Sequence, residues 1–311
     1  MAGSFVALDG AEGFLPDSEA GVDLHVGDAV AVRVTRAAQG GKGPRLTARL
    51  APGEVPPARG PGALIEQARA HPEAAVLVDD NALAACLAPE LGERLTVVAR
   101  SFDEEVEEQV EALSHAEASL PGGARLHFHP TPALVAIDVD AGGAVAARRG
   151  KTETHEAANR AALPVLARQI RLRNLSGAIL VDFAGLPPRR RARLATPLGA
   201  ALADDPLHPR LLGFTALGLA EIVRPRVHPP LHELLAGPHA AGLAALRRID
   251  ADVAARPHHM PVLHASPAIV AALQRDPVAL EDLARRTGRG LTLRSAPGMA
   301  ACEWLIEGHD G

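Results

Sequence analysis

Apolar residues fall into short runs over the first 50 positions and into longer, spaced stretches beyond them. Phe5 to Leu8, Ala29 to Val34 and Leu46 to Leu50 are separated by turn residues at Asp9-Gly10, Gly13 to Pro16 and Gly40-Gly41. Short strands with frequent turns predict part of a small β-barrel over residues 1–50. The stretch Ala51 to Gly62 carries Pro52, Pro56, Pro57 and Pro61 and reads as a linker over 51–62. After it the pattern predicts a helix over Gly62 to Ala70, a strand over Ala75 to Val78, a helix over Ala82 to Leu87 and a strand over Arg94 to Ala99. A helix follows with Val106, Val110 and Leu113 at i, i+4 and i+7, an apolar stripe expected to face inward. These elements make 63–119 a small α/β region.

Leu120-Pro121-Gly122-Gly123 is a turn that opens a third region, 120–237. Arg125 to Phe128 and Ala133 to Val139 read as the strands of a hairpin, and Thr152 to Arg173 as a long helix in which Pro164 predicts a kink or a late first turn. Gly177 to Phe183 is almost wholly apolar, the pattern of a strand buried on both faces. Arg189 to Ala203 is helical and Leu211 to Thr215 a further strand. Gly237-Pro238 opens a last segment, 238–311, with helices over Ala240 to Ala255, Ala268 to Leu273 and Val278 to Thr287, a strand over Pro261 to His264, and short strands at the end. The alternation of elements predicts an α/β (α+β) protein.

Composition narrows the classes. A chain of 311 residues has room for about two domains of ordinary size, so disulfide staples are not required. The longest apolar stretch, Leu211 to Ala220, is ten residues and too short to span a bilayer, which excludes a membrane partner. Met1 to Gly10 shows no basic leader or cleavage pattern. Cys86 and Cys302 form no CxxC pair, which points to a reducing, cytoplasmic setting and no structural zinc.

The formal net charge of −5 disfavours a nucleic-acid partner at first sight, because phosphate binding draws on Lys and Arg. The charge is unevenly placed, however. Asp103, Glu104, Glu105, Glu107, Glu108, Glu111 and Glu117 form an acidic run without Lys or Arg, while Arg168, Arg171, Arg173, Arg189, Arg190, Arg191 and Arg193 surround the single acid Asp182. An Arg cluster flanking one carboxylate is the pattern of a phosphate-handling site, although charge runs are more often solvated faces.

Ile137-Asp138-Val139-Asp140 and Leu180-Val181-Asp182-Phe183 each set an acid near the carboxyl end of an apolar strand. A carboxylate at such a place needs a partner. If the strands are neighbours, Asp138 and Asp182 repel unless a divalent cation joins them, and Mg²⁺ suits a pair of carboxylates completed by water and phosphate. Helix capping or pairing with nearby Arg satisfies them equally. His127 and His129 share a strand face and His228 and His232 stand at i, i+4; both pairs lack a third ligand and read as surface or phosphate-contacting residues.

The run Ala133 to Asp140, the segment Asn159 through Arg168-Gln169-Ile170-Arg171-Leu172-Arg173-Asn174-Leu175-Ser176-Gly177, Ile179 to Phe183, and Leu217 to Val227 resemble, in order and spacing, the catalytic core of the ribonuclease E/G family. Phe5-Val6, Gly13-Phe14-Leu15-Pro16 and Lys42 to Thr47 are similar to that family's OB-type RNA-binding barrel, and His264-Ala265-Ser266-Pro267 to the C-terminal extension of its shorter members. The resemblance implies a deoxyribonuclease I-like catalytic core, a truncated OB-type barrel, and a ribonuclease H-like remnant over 63–119. It also implies an Mg²⁺-dependent endoribonuclease, with Mn²⁺ as an alternative ion, that leaves 5′-phosphate and 3′-hydroxyl ends on single-stranded RNA. Asp138 and Asp182 then hold the metal and Asp140 joins them in catalysis. Phe5 and Phe14 contact RNA, with Arg36, Lys42, Arg168, Arg171 and Arg173 as basic contacts.

The sequence also departs from the family pattern. Asp140 stands where the motif has Asn, and Gly185 where an acid follows the second strand. Leu235-Ala236-Gly237-Pro238 replaces the start of a CPxC zinc link, so no zinc-linked dimer is expected, while other homo-oligomers stay open. The 5′-sensor domain has no counterpart in 63–119, and the chain is expected to begin within the barrel. These departures keep two alternatives open: an RNA-binding protein of weakened catalysis, and a metal-dependent phosphodiesterase acting on smaller substrates.

Overall fold

The structure, a computed structural model, describes residues 2–8, 11–51, 62–140, 151–183, 185–256 and 261–307. The expected turn at Asp9-Gly10 and most of the proline-rich linker lie outside these residues. The chain divides into two compact units, Met1–His228 and Pro229–Gly311.

In the first unit, strands β1 (Gly3–Leu8) and β2 (Ala11–Pro16), the short helix α1 (Asp17–Ala20), and strands β3 (Arg33–Arg36) and β4 (Arg45–Thr47) come first. The four strands form one sheet in the order β1-β2-β4-β3, antiparallel except for β2 against β4. Leu15 and Leu46 are fully buried on one side of it, and Gly13 is glycine for a packing reason, since a Cβ there would lie 2.7 Å from the Leu46 side chain.

Helix α2 (Ala63–Ala70), strand β5 (Val76–Val78), helix α3 (Asn81–Leu91) and strand β6 (Leu95–Val97) follow. They enclose a small core of Ile65, Ala68, Val78, Ala84, Leu87 and Leu91 around the parallel pair β5-β6. Asp103 caps helix α4 (Glu104–Ala112) by accepting a hydrogen bond from the Val106 amide at 2.8 Å. The expected inward stripe is not buried: Val106 is 37% and Val110 57% exposed. The glutamates of α4 oppose burial of this stripe, and Glu107 pairs with Arg100 at the surface.

Strands β7 (Glu117–Ser119), β8 (Arg125–Pro130) and β9 (Leu134–Asp140), helix α5 (Lys151–Leu172), strand β10 (Gly177–Asp182), helices α6 (Pro188–Arg191) and α7 (Ala195–Leu202), and strands β11 (Arg210–Phe214) and β12 (Ala220–Arg224) complete the unit. The sheet order is β11-β12-β10-β9-β8-β7. β8 and β9 form the expected antiparallel hairpin, and α5 is the crossover between the parallel strands β9 and β10. Helix α5 runs unbroken through Pro164. Alternation sets the faces: Leu126, Phe128, Val135, Ile137, Val139, Ile179, Val181 and Ile222 pack with Leu163, Leu166 and Ile170 of α5 and Leu198 of α7. At about 1.5–3 kcal/mol for each buried side chain, this layer is the main source of the unit's stability.

β10 is thus covered on one face only, a correction to the reading from its apolar run. Ala178 and Asp182 are exposed and Leu180 is half-buried on the other side.

In the second unit, helices α8 (Leu231–Leu235), α9 (Pro238–Ala255), α10 (Pro267–Gln274) and α11 (Pro277–Thr287) accompany strands β13 (Val262–Ala265), β14 (Thr292–Ser295) and β15 (Trp304–Glu307). The sheet order is β14-β13-β15, and its core is built on Leu246, Ile249, Leu263, Ile269, Leu273 and Ile306. The expected start of this segment at 238 falls just after α8, which belongs to the same unit.

Candidate functional site

The parallel crossover decides where the acids go. In the register of β9 with β10, Leu134 pairs with Ala178, and four residues on, Asp138 stands directly beside Asp182. Neighbouring strands lie about 4.8 Å apart, so the two carboxylates share one spot at the carboxyl ends of their strands. Both are exposed on the open face, opposite α5. Asp140 is also exposed and stands opposite Arg125 of β8. His127 stands opposite Asp138, with its Nδ1 3.4 Å from Glu117, so the row across the sheet reads Glu117, His127, Asp138, Asp182. The shared face expected for His127 and His129 is therefore the face that carries the acids.

Asp182 has a cation of its own. Arg191, at the end of α6, places Nη1 2.5 Å from Asp182 Oδ1. The same guanidinium donates from Nε to the Leu186 carbonyl at 2.6 Å and from Nη1 to the Gly218 carbonyl at 3.2 Å. Gly218, at φ +87°, leaves room for the arginine stem, because a Cβ there would lie 2.9 Å from Arg191 Cδ. The cluster Arg189 to Arg193 was visible in sequence; which of its members holds Asp182 depends on where the loop carrying Gly218 closes. Arg190 pairs instead with Glu156 at 3.5 Å, and Arg189 and Arg193 are exposed.

Gly185 has a conformational reason. It lies at φ +58°, and a Cβ would meet the His155 ring at 2.8 Å, so the position cannot take an acid while His155 stays where it is. Among the described residues no group of three or more His, Cys, Asp and Glu is arranged to hold a metal. Asp138 and Asp182 offer two hard oxygen donors, which fit an ion that completes its shell with water and phosphate.

The expected basic contacts separate. The crossover carries the end of α5 to the start of β10, at the opposite end of the strands from Asp182, so Arg168, Arg171 and Arg173 do not join the carboxylates. Arg168 binds Gln109 at 3.1 Å and Arg171 approaches the Asp204 carbonyl at 3.4 Å. Arg173 corrects its expected role outright. It is 7% exposed, lies 4.3 Å over the Phe128 ring, and spends all five N–H groups within the protein. Nε donates to Gln169, Nη1 to the carbonyls of Leu113 and His115, and Nη2 to those of Ala112 and Glu117. Burial lowers its pKa from the usual arginine value. Arg224 is likewise structural, in a buried pair with Asp205 at 2.8 Å and a bond to Asn174 at 2.6 Å.

The N-terminal sheet gathers a second set. Phe5 pairs with Phe14, Phe14 with Arg45 and Arg45 with Arg36, a row of two rings and two guanidiniums across four strands. The rings lie 5.6 Å apart, and Phe5 is 71% exposed. Lys42 is exposed on the tight turn closed by its bridge with Gln39. The alignment of Arg45 with Phe14 is not legible in the sequence, because it rests on the parallel β2-β4 pairing, which skips over α1 and β3.

Residues 80–227, which carry both acids, match the model of the Ribonuclease E/G family. Over this segment the chain is similar to that family. It is similar to Ribonuclease G of Escherichia coli, 29% identical over 184 residues that cover 55% of this chain and 37% of that protein. It is also similar to Ribonuclease E of Nostoc sp., 34% identical over 136 residues covering 43% of this chain and 20% of the relative. Ribonuclease E of Escherichia coli is 35% identical over 131 residues, 42% of this chain and 12% of that protein. The chain thus spans well under half the length of these relatives.

Proposed function

We propose that the chain is a divalent-metal-dependent endoribonuclease that hydrolyses single-stranded RNA to 5′-phosphate and 3′-hydroxyl ends. The observation that supports this most strongly is the side-by-side register of Asp138 and Asp182 on an open sheet face. On this reading the six-stranded sheet with α5 and α7 is a deoxyribonuclease I-like core, and the N-terminal sheet is part of an OB-type barrel. Asp138 and Asp182 would hold Mg²⁺, or Mn²⁺ in its place. When bound, the ion supplies an activated water and charge stabilisation at the departing oxygen. Hydrolysis breaks the P–O3′ bond; hydroxide goes to phosphorus and a proton to O3′. Asp140, exposed beside the pair, is suited to orient the attacking water. Phe5 and Phe14 stack bases while Arg36 and Lys42 take phosphates, the usual division of labour on single strands. Two exposed free thiols, Cys86 and Cys302, fit a reducing cytoplasm.

A 5′-labelled, AU-rich single strand tests the reading. Cleavage with Mg²⁺ that stops in EDTA, and falls by at least about 100-fold in Asp138→Asn and in Asp182→Asn with the fold intact by circular dichroism, is the expected result. Cleavage persisting in both variants removes the acids from the reaction. The arginine on Asp182 and the carboxylate at 140 favour a second reading, an RNA-binding protein of weakened catalysis, which would show EDTA-insensitive binding and no cleavage by the wild type.

A further inference from the structure

The open face carries Asp138, Asp140 and Asp182 within a few ångströms of sheet, so the protein without metal must offset their mutual repulsion. Arg125 stands opposite Asp140 and His127 opposite Asp138, and the cation bonded to Asp182 is Arg191. Its side chain is 15% exposed, and hydrogen bonds to the Leu186 and Gly218 carbonyls hold it in addition to its bond to Asp182. The guanidinium therefore cannot swing away when a metal arrives without leaving two carbonyls unpaired. It stays beside one oxygen of a carboxylate that must also serve the cation.

Resting on the metal reading above, we propose that Arg191 is a positioning residue that sets the metal affinity of this site: a fixed internal cation that keeps Asp182 in place beside Asp138 and holds divalent-ion binding weak. Two consequences follow from charge alone. Removing the positive charge while keeping a hydrogen-bonding side chain strengthens metal binding. Binding of a polyanion beside the site offsets Arg191 and strengthens metal binding to the wild type, and by linkage the metal strengthens polyanion binding equally.

The test is Mn²⁺ binding to the full chain, read by the electron-spin-resonance signal of free Mn²⁺, in wild type, Arg191→Gln, Arg191→Lys and Asp182→Asn, with and without a phosphorothioate single strand that resists cleavage. Arg191→Gln is expected to bind Mn²⁺ about tenfold more tightly than wild type, the scale of a one-unit electrostatic shift. Arg191→Lys, which keeps the charge, is expected to stay within about twofold of wild type; this separates charge from disturbed packing. The single strand is expected to tighten Mn²⁺ on wild type and to have less effect on Arg191→Gln. Equal or weaker binding by Arg191→Gln, with Asp182→Asn still abolishing the site, overturns the role of Arg191. Unchanged Mn²⁺ binding in Asp182→Asn instead overturns the metal reading on which it rests.

Discussion

Single residues show how far chemical type alone locates a function. Asp138 and Asp182 were legible because each ends an apolar strand, and the alternation of buried positions along two such neighbours constrains their register. Arg173 was not, because nothing local distinguishes an arginine that meets phosphate from one that meets carbonyls; its carbonyl acceptors lie more than 50 residues upstream. Its role is to tie the end of α5 to the turn between α4 and β7. Arg173→Ala is therefore expected to lower stability by about 3 kcal/mol, since it leaves four carbonyls short of a partner and uncovers the Phe128 ring. Chemical denaturation measures this, and RNA affinity per folded molecule should stay unchanged. A stable variant with weakened RNA binding would return Arg173 to the interface.

Elements were read well where burial follows their period and poorly where it does not. The β8-β9 hairpin and α5 follow from the strong contrast between their two faces. β10 misled because Ala178 and Leu180 are apolar on a side left partly open to solvent, and α4 misled because a three-residue apolar stripe cannot outweigh its acids. Helix α11 offers a measurable case of end chemistry. Asp276 caps it through the Ala279 amide and accepts a 2.8 Å bond from His239 of α9, and the His239 bond, then the capping bond, hold its pKa below the ordinary 3.8. A depressed carboxylate pKa contributes stability that is present above 3.8 and lost as the pH falls through the lower, folded value. Trp304 is the single tryptophan and packs against the second unit's core, so its fluorescence follows that unit. Asp276→Asn is expected to lower the melting temperature at pH 6 and to flatten its decline as the pH falls below 3.8. Parallel declines in the two proteins would show that the cap is not coupled to the proton.

At the scale of the whole molecule, a net charge of −5 says little about partners, because the acidic run of α4 and the basic residues of the first sheet lie on different elements. The acids of α4 face water on a helix of their own, whereas Phe5, Phe14, Arg45 and Arg36 line up across the first sheet and Lys42 stands on the turn before β4. Stacking and charge make separable demands on binding. A stacked base loses about 1–3 kcal/mol when its ring is removed, independently of salt, while each phosphate contact on a single strand adds about −0.7 to the slope of log affinity against log salt. Phe5→Ala is thus expected to weaken binding of a single-stranded oligonucleotide about tenfold at every salt concentration and leave the slope alone. Lys42→Ala is expected to reduce the slope by about 0.7, so that its deficit shrinks as salt rises. Fluorescence anisotropy across a salt series reads both quantities from one titration set. Identical slopes with unchanged affinity in both variants would take the first sheet out of RNA recognition and leave the task to the exposed Arg189 and Arg193, which flank Arg191 in the sequence.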